Sequence, residues 1–333
     1  MEETIHNQPP PNTPAGLPAR SAGIVALALI FFAGASLTWV FLSEAAPIAP
    51  ITVAAAAQAT PEPTQRPPVF ENVELQAKSA IVMDLTTGYT LYELNAEAPL
   101  PLASLTKVPL ALVVTEALSP DTIITIPYDT TSYGTNQKMR AGERWRVQDV
   151  IDFTLAVSSN TGAGILAKAA EEPIHEHFFS APAENTAVWR MNQMAQNLGL
   201  THTYFLNATG LDESDMQAGA YGSARDIAAL FAYAALSSPK TFAATTKRSF
   251  KLHSLDGAVA TAINTDEALP AIPGMIMGKT GYTELAGGNL AVVFEVGGHR
   301  ISAVVLGSTQ SGRFEDMKKL IALTTQAFEA EEE

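Results

Sequence analysis

Residues 21–43 contain no charged side chain, and the 20 residues from 23 to 42 could cross a bilayer core of about 30 Å as a helix rising about 1.5 Å per residue. The apolar region of a secretory signal is usually shorter, about 7–15 residues. The longer run, preceded by a proline-rich polar segment, predicts an uncleaved signal anchor; Ser43-Glu44-Ala45 leaves a cleaved leader open as the alternative. Arg20 flanks the run on its N-terminal side and no Lys or Arg follows it until Arg66. The positive-inside rule then places the N-terminus in the cytoplasm and the bulk of the chain outside, on a single-pass plasma-membrane protein whose membrane partner is the N-terminal helix. The expected layout is a disordered tail (1–20), an anchor (21–43), a Pro/Ala-rich tether (44–69) and one globular domain (70–333).

The tether carries Pro47, Pro50, Pro61, Pro63, Pro67 and Pro68 among alanines and threonines, so it has no core of its own. The globular part opens with Ser79-Ala80-Ile81-Val82-Met83-Asp84 and Tyr89-Thr90-Leu91-Tyr92-Glu93 about a turn at Gly88, which predicts a hairpin. Residues 149–234 read as mostly helical, with one helix stopped at Gly199 and another opened by Ser223-Ala224-Arg225-Asp226. Strand patterns return at 275–283, 289–296 and 300–306, the last two joined by Gly297-Gly298, and a helix is expected over 314–328. Strands at both ends with helices between predict an α+β fold: an antiparallel sheet drawn from both chain ends, with an inserted helical subdomain.

Within this frame, Ala103-Ser104-Leu105-Thr106-Lys107-Val108 places a hydroxyl and an amine one helical turn apart at the start of an apolar run. Serine needs an adjacent base to become a nucleophile, and lysine serves as one only when burial or a second cation lowers its pKa. Pro109 falls just past the first turn, so a kink or loosened turn is expected there. The spacing alone is weak: 19 serines and 10 lysines in 333 residues give about 0.6 chance matches. Ser237-Ser238-Pro239-Lys240 is such a match, but its proline reads as the end of a helix. Ser158-Ser159-Asn160 adds a second hydroxyl and an amide. Lys279-Thr280-Gly281 is more specific, since 10 lysines, 32 threonines and 22 glycines predict about 0.06 occurrences.

Together, S-x-x-K, S-x-N and K-T-G in this order resemble the penicillin-binding, active-site-serine family, and within it the low-molecular-mass D-alanyl-D-alanine carboxypeptidases. The resemblance runs from about Gln76 to Leu323 and takes in Gly142-Glu143, Val147-Gln148-Asp149-Val150, Asn207-Ala208-Thr209-Gly210-Leu211, Ser223 to Asp226 and Gly312-Arg313. It implies the β-lactamase/DD-peptidase-like fold and a serine DD-peptidase catalytic domain acting on peptidoglycan stem peptides, with β-lactams as further ligands and no cofactor. It implies Ser104 as the acylated nucleophile, Lys107 as its base and Ser158 as a proton relay to the leaving amine. Asn160, Lys279, Thr280, Gly281, Tyr282 and Arg313 would bind the substrate, the N–H groups of Ser104 and Tyr282 forming the oxyanion hole. Two positions depart from the family pattern: Ser159 stands where glycine is commoner, and Val108-Pro109 is more like class A β-lactamases.

Other classes are disfavoured or left open. The net charge of −14 offers no basic face for nucleic acid. The chain has no cysteine, and His175-Glu176-His177 lacks the H-E-x-x-H spacing, so it reads as a solvated insertion and no metal is expected. A class A-like β-lactamase, a DD-endopeptidase and an acylated sensor domain remain alternatives to the carboxypeptidase. Against the first, no Glu-x-x-Leu-Asn occurs between Asn160 and Lys279, where class A enzymes keep their deacylating glutamate.

Overall fold

The computed structural model describes residues 67–128 and 138–329. Apolar alternation on strands from the two ends of the domain builds its centre. Strand β1 (Ser79–Asp84) pairs with β2 (Thr90–Leu94) on one side and, on the other, with β12 (His299–Ser308). Beyond β12 lie β11 (Gly287–Val296) and the edge strand β10 (Met275–Thr283), giving a five-stranded antiparallel sheet of order β10-β11-β12-β1-β2. Register puts Ile81 and Ala291 both opposite Val304, and Val82 and Val292 both opposite Ala303. Because side chains alternate across a sheet, these two sets face opposite sides, and both sides are buried.

One side, with Ala80, Val82, Leu290, Val292, Phe294 and Val305, packs against the C-terminal helix Gly312–Glu329 through Phe314, Met317, Leu320 and Ile321. The other side, with Ile81, Ala291, Val293, Val304 and Leu306, meets the helical insertion. That insertion begins with β3 (Leu100–Pro101), a 3₁₀ turn at Ala103–Thr106 and helix α1 (Lys107–Ala117). The small hairpin β4 (Ile123–Thr125) and β5 (Arg144–Arg146) leads into α2 (Val147–Val157), α3 (Asn160–His177) and α4 (Thr186–Asn197). Short strands β6 (Tyr204–Phe205) and β7 (Ala220–Gly222) pair with each other, β7 also with β3, before α5 (Ala224–Ser237) packs on β1, β11 and β12. The remaining elements are the short helix α6 (Pro239–Phe242), the hairpin β8 (Ser249–His253) and β9 (Val259–Ile263), and the C-terminal helix, α7.

Several expectations change. Helix α1 starts at Lys107, so Pro109 lies in the first turn, where a backbone N–H would have no intrahelical acceptor; the 3₁₀ turn before it, rather than a kink, absorbs the proline. His175-Glu176-His177 forms the last turn of α3 rather than a loop. The β8–β9 hairpin escaped the strand reading because only one or two of five residues in each strand are buried, which leaves little apolar alternation to see.

The transmembrane anchor is also corrected. Among the described residues no helix is long and apolar enough to cross a membrane. The two 18-residue helices, α3 and α7, are broken up by charges such as Lys168, Glu171 and Glu172 in the first and Glu315, Asp316, Lys318 and Lys319 in the second. The apolar run at 21–43, with the tail before it and most of the tether after it, lies outside the described residues. The structure lends no support to a single-pass plasma-membrane placement or a membrane partner, and neither is carried further.

Candidate active site

Edge strand β10, the turn before α1 and the turn between α2 and α3 converge on the helical side of the sheet. Ser104 sits half-buried in the 3₁₀ turn, and Lys107, 1% exposed, follows it on α1. The amine Nζ of Lys107 lies 2.8 Å from Ser104 Oγ, 2.8 Å from Asn160 Oδ1 and 2.7 Å from the Thr209 carbonyl oxygen. Burial pushes its pKa down from the ordinary lysine value to about 7.

The Ser158-Ser159-Asn160 turn is two helix ends back to back. Ser158 terminates α2 in the left-handed region (φ 59°, ψ 41°) and Ser159 caps α3, its hydroxyl accepting from the Gly162 N–H at 3.0 Å. Asn160 is the first residue of α3, which aims its side chain at Lys107. Ser159, the departure from the family pattern, therefore has a structural role of its own. Left-handed backbone at a non-glycine residue is uncommon, and here it occurs at Ser158 and again at Ala103 (φ 49°), beside Ser104.

From β10 comes Lys279, 2% exposed, whose Nζ donates to Ser158 Oγ at 2.9 Å and to its neighbour's carbonyl, Thr280 O, at 2.8 Å. Burial, then the charges of Lys107 and Arg313, hold its pKa well below the ordinary lysine value. The Thr280 hydroxyl lies 2.6 Å from that of Thr265. Gly281 is where the strand crosses the Ser104 turn: a Cβ there would stand 2.8 Å from Leu102 O and 3.3 Å from Ser104 N. Tyr282 follows, 41% exposed at the rim. Arg313, at the start of α7, is buried rather than a surface charge, and its Nη1 donates to Gly281 O at 2.7 Å.

All nine residues singled out from the sequence thus lie on or against these converging segments. Thr209 was missed as a contact of its own, because a backbone carbonyl leaves no residue-type signal. It is held by a tight turn in which Asn207 Oδ1 accepts from the Thr209 N–H, the Thr209 hydroxyl and the Gly210 N–H at 3.0, 2.9 and 2.7 Å. Gly210 (φ 77°) lets that turn reach Ala103, whose carbonyl oxygen a Cβ would meet at 1.9 Å. The usable signal was the glycine in Asn207-Ala208-Thr209-Gly210. Among the described residues no cluster of three metal-ligating side chains occurs.

A buried amine against a hydroxyl and a second hydroxyl–amine pair beside an edge strand are the arrangement that serine–lysine acyl transfer would need. Comparison with known proteins narrows the class. A family model described as D-alanyl-D-alanine carboxypeptidase matches residues 62–310, and the chain belongs to that family. It is 28% identical to D-alanyl-D-alanine carboxypeptidase DacF of Bacillus subtilis over 76% of this chain and 63% of that one. It is 30% identical to D-alanyl-D-alanine carboxypeptidase DacB2 of Mycobacterium tuberculosis over 71% of this chain and 77% of that one. The chain thus spans just under two thirds of the Bacillus protein. The crystal structure of a D-alanyl-D-alanine carboxypeptidase from Mycobacterium tuberculosis superposes with a TM-score of 0.66 at 27% identity, covering 76% of this chain and 92% of that one. The α+β fold expected from the sequence is the fold of these relatives.

Proposed function

We propose that this chain is a serine DD-carboxypeptidase that removes the terminal D-alanine from peptidoglycan stem pentapeptides through an acyl-enzyme on Ser104. The observation that carries the reading is the Lys107 amine, buried, with a pKa of about 7, and 2.8 Å from Ser104 Oγ. A neutral amine has two N–H groups and one lone pair. Asn160 Oδ1 and the Thr209 carbonyl can take the two N–H groups, which leaves the lone pair facing the Ser104 hydroxyl. Ser104 Oγ attacks the carbonyl carbon of the penultimate D-alanine as its proton passes to Lys107. The N–H groups of Ser104 and Tyr282 receive the developing oxyanion. Ser158, held by the Lys279 amine at 2.9 Å, passes a proton to the leaving nitrogen, the C–N bond breaks and D-alanine departs. Water then attacks the ester, freeing the shortened peptide and restoring the Ser104 hydroxyl. Lys279, Thr280 and Arg313 take the substrate's terminal carboxylate, and β10 pairs with the peptide backbone.

The test is release of D-alanine from a pentapeptide, run beside the lifetime of a penicillin adduct. The adduct is expected to appear as a mass shift on Ser104. It should break down at about 10⁻² s⁻¹ or slower, because the chain lacks the Glu-x-x-Leu-Asn base worth about 10²–10⁴ in rate. Penicillin turnover at many cycles per second would make the protein a β-lactamase instead. A stable adduct with no D-alanine release would make it an acylated sensor.

A further inference from the structure

The connection between β6 and β7 touches three parts of the site within residues 209–212. The Thr209 carbonyl accepts from Lys107 Nζ at 2.7 Å. Gly210 stands so close to the Ser104 turn that a Cβ there would also meet Thr106 Oγ1, at 2.7 Å. The half-buried Asp212 then crosses to the end of β10, 71 positions away: its Oδ1 accepts from the Thr283 hydroxyl at 2.9 Å and its Oδ2 from the Leu285 N–H at 3.2 Å. Thr283 Oγ1 in turn accepts from the Ala286 N–H at 3.1 Å, so the turn out of β10 closes on the oxygen that Asp212 holds. Asn207 stiffens the connection from within, its Nδ2 donating to Leu211 O at 2.9 Å and to Glu213 Oε1 at 2.6 Å. The end of β10 has little else to steady it. It belongs to an edge strand, and opposite Tyr282 and Thr283 its neighbour β11 presents Gly288 and Gly287, which offer no cross-strand side chain.

We propose that Asp212 is a positioning residue for acyl transfer: it ties the end of β10, and with it the Tyr282 N–H, to the loop that holds Lys107 and packs on the Ser104 turn. This rests on the reading of the site as a serine acyl-transfer centre whose oxyanion the Ser104 and Tyr282 N–H groups receive. The loop reaches Lys107 and the Ser104 turn through backbone atoms, at Thr209 and Gly210, so those contacts survive loss of the Asp212 side chain. What goes is the tie to Thr283 and Leu285. Tyr282, between Gly281 on the Ser104 turn and Thr283 on Asp212, is then held from one side instead of two. A ligand can still enter the cleft, but the charge that develops on its carbonyl oxygen meets a donor out of place.

The test follows acylation of the full-length protein by a chromogenic cephalosporin in stopped flow across concentration, which separates the acylation rate constant from the initial binding constant. Asp212→Ala should acylate about tenfold more slowly, with the binding constant changed by no more than about twofold. Thr283→Val, which removes the partner hydroxyl, should show the same split. The double variant should lose no more than about twofold beyond the slower single one, because both changes cut the same tie. Asp212→Asn, which can still accept from the Leu285 N–H and donate to Thr283 Oγ1, should recover most of the rate. Asp215→Ala, an exposed acid of the same loop, should acylate like the unaltered protein. A lowered thermal midpoint with an unchanged acylation constant, losses that multiply in the double variant, or an equal loss in Asp215→Ala would overturn the assignment. Failure of the unaltered protein to be acylated at all would overturn the acyl-transfer reading itself, and the assignment with it.

Discussion

Two serine–lysine contacts of nearly equal length share this site, Ser104 with Lys107 at 2.8 Å and Ser158 with Lys279 at 2.9 Å, and they are built in opposite ways. The first is local: its members lie three positions apart in the chain, and the onset of α1 brings them together. The second joins a helix end to an edge strand 121 positions away and exists only once the sheet and the helical insertion have packed. Their surroundings differ as well. Lys107 is lowered by burial alone and touches an amide and a carbonyl, both neutral. Lys279 is lowered further by two neighbouring cations and raised by Asp266. On the proposed reading, the comparison separates a base, which needs only to lose water, from an electrostatic anchor for the substrate.

If that division is right, removing the two hydroxyls should have unequal consequences. Ser104→Ala should abolish labelling by a fluorescent penicillin, because no atom is left to form the ester. Ser158→Ala should still label, more slowly by about 10²–10⁴, the usual worth of a proton relay. Gel fluorescence against time distinguishes the two. Persistent labelling of Ser104→Ala, or loss of labelling equal in both variants, would erase the distinction between nucleophile and relay.

The lysines can be told apart by pH. Acylation should rise with pH through about 7 as Lys107 loses its proton. Stability carries the same signature. Between about 7 and the ordinary lysine value of 10.5 the unfolded chain holds a proton on Lys107 that the folded chain does not, so stability rises with pH across that window. In Lys107→Met this contribution is gone. The unfolding free energy of the unaltered protein should therefore gain on that of the variant by about 2 kcal/mol between pH 7 and 9. Paired urea titrations at the two pH values measure the difference, and parallel pH profiles would mean that Lys107 keeps its proton in the folded state.

Legibility in the sequence follows the same division between local and assembled. The Ser104–Lys107 spacing, the hairpin at Gly297-Gly298 and the Ser223 cap, whose hydroxyl accepts from the Asp226 N–H at 3.1 Å, involve neighbours in the chain and could be read directly. That Lys279 would reach Ser158 followed from family resemblance, not from any spacing. The burial of Arg313 could not be read from the sequence, because it depends on how α7 seats on the sheet. Asp266 gave no signal: an acidic residue in a loop looks solvated until the fold shows it 2% exposed. The Thr209 carbonyl was invisible for a different reason, since every residue has one.

The smallest expected effect concerns the residue between the two pairs. Ser159 occupies the place where the family more often has glycine, and its hydroxyl accepts from the Gly162 N–H at 3.0 Å, one of the otherwise unpaired donors at the start of α3. Its backbone (φ −67°, ψ 118°) is ordinary extended geometry, so no residue is needed there for conformational reasons. A capping serine changed to glycine costs only a few tenths of a kcal/mol, whereas alanine costs about 1 kcal/mol. Ser159→Gly should therefore leave stability nearly unchanged and Ser159→Ala should lower it by about 1 kcal/mol, as read from denaturant midpoints. Penicillin acylation should proceed at the unaltered rate in Ser159→Gly, because the hydroxyl contacts neither lysine. If Ser159→Gly loses acylation while its denaturant midpoint holds, the cap does more than start a helix. It would then be setting the left-handed turn that holds Ser158 against Lys279, and the second pair would depend on local sequence after all.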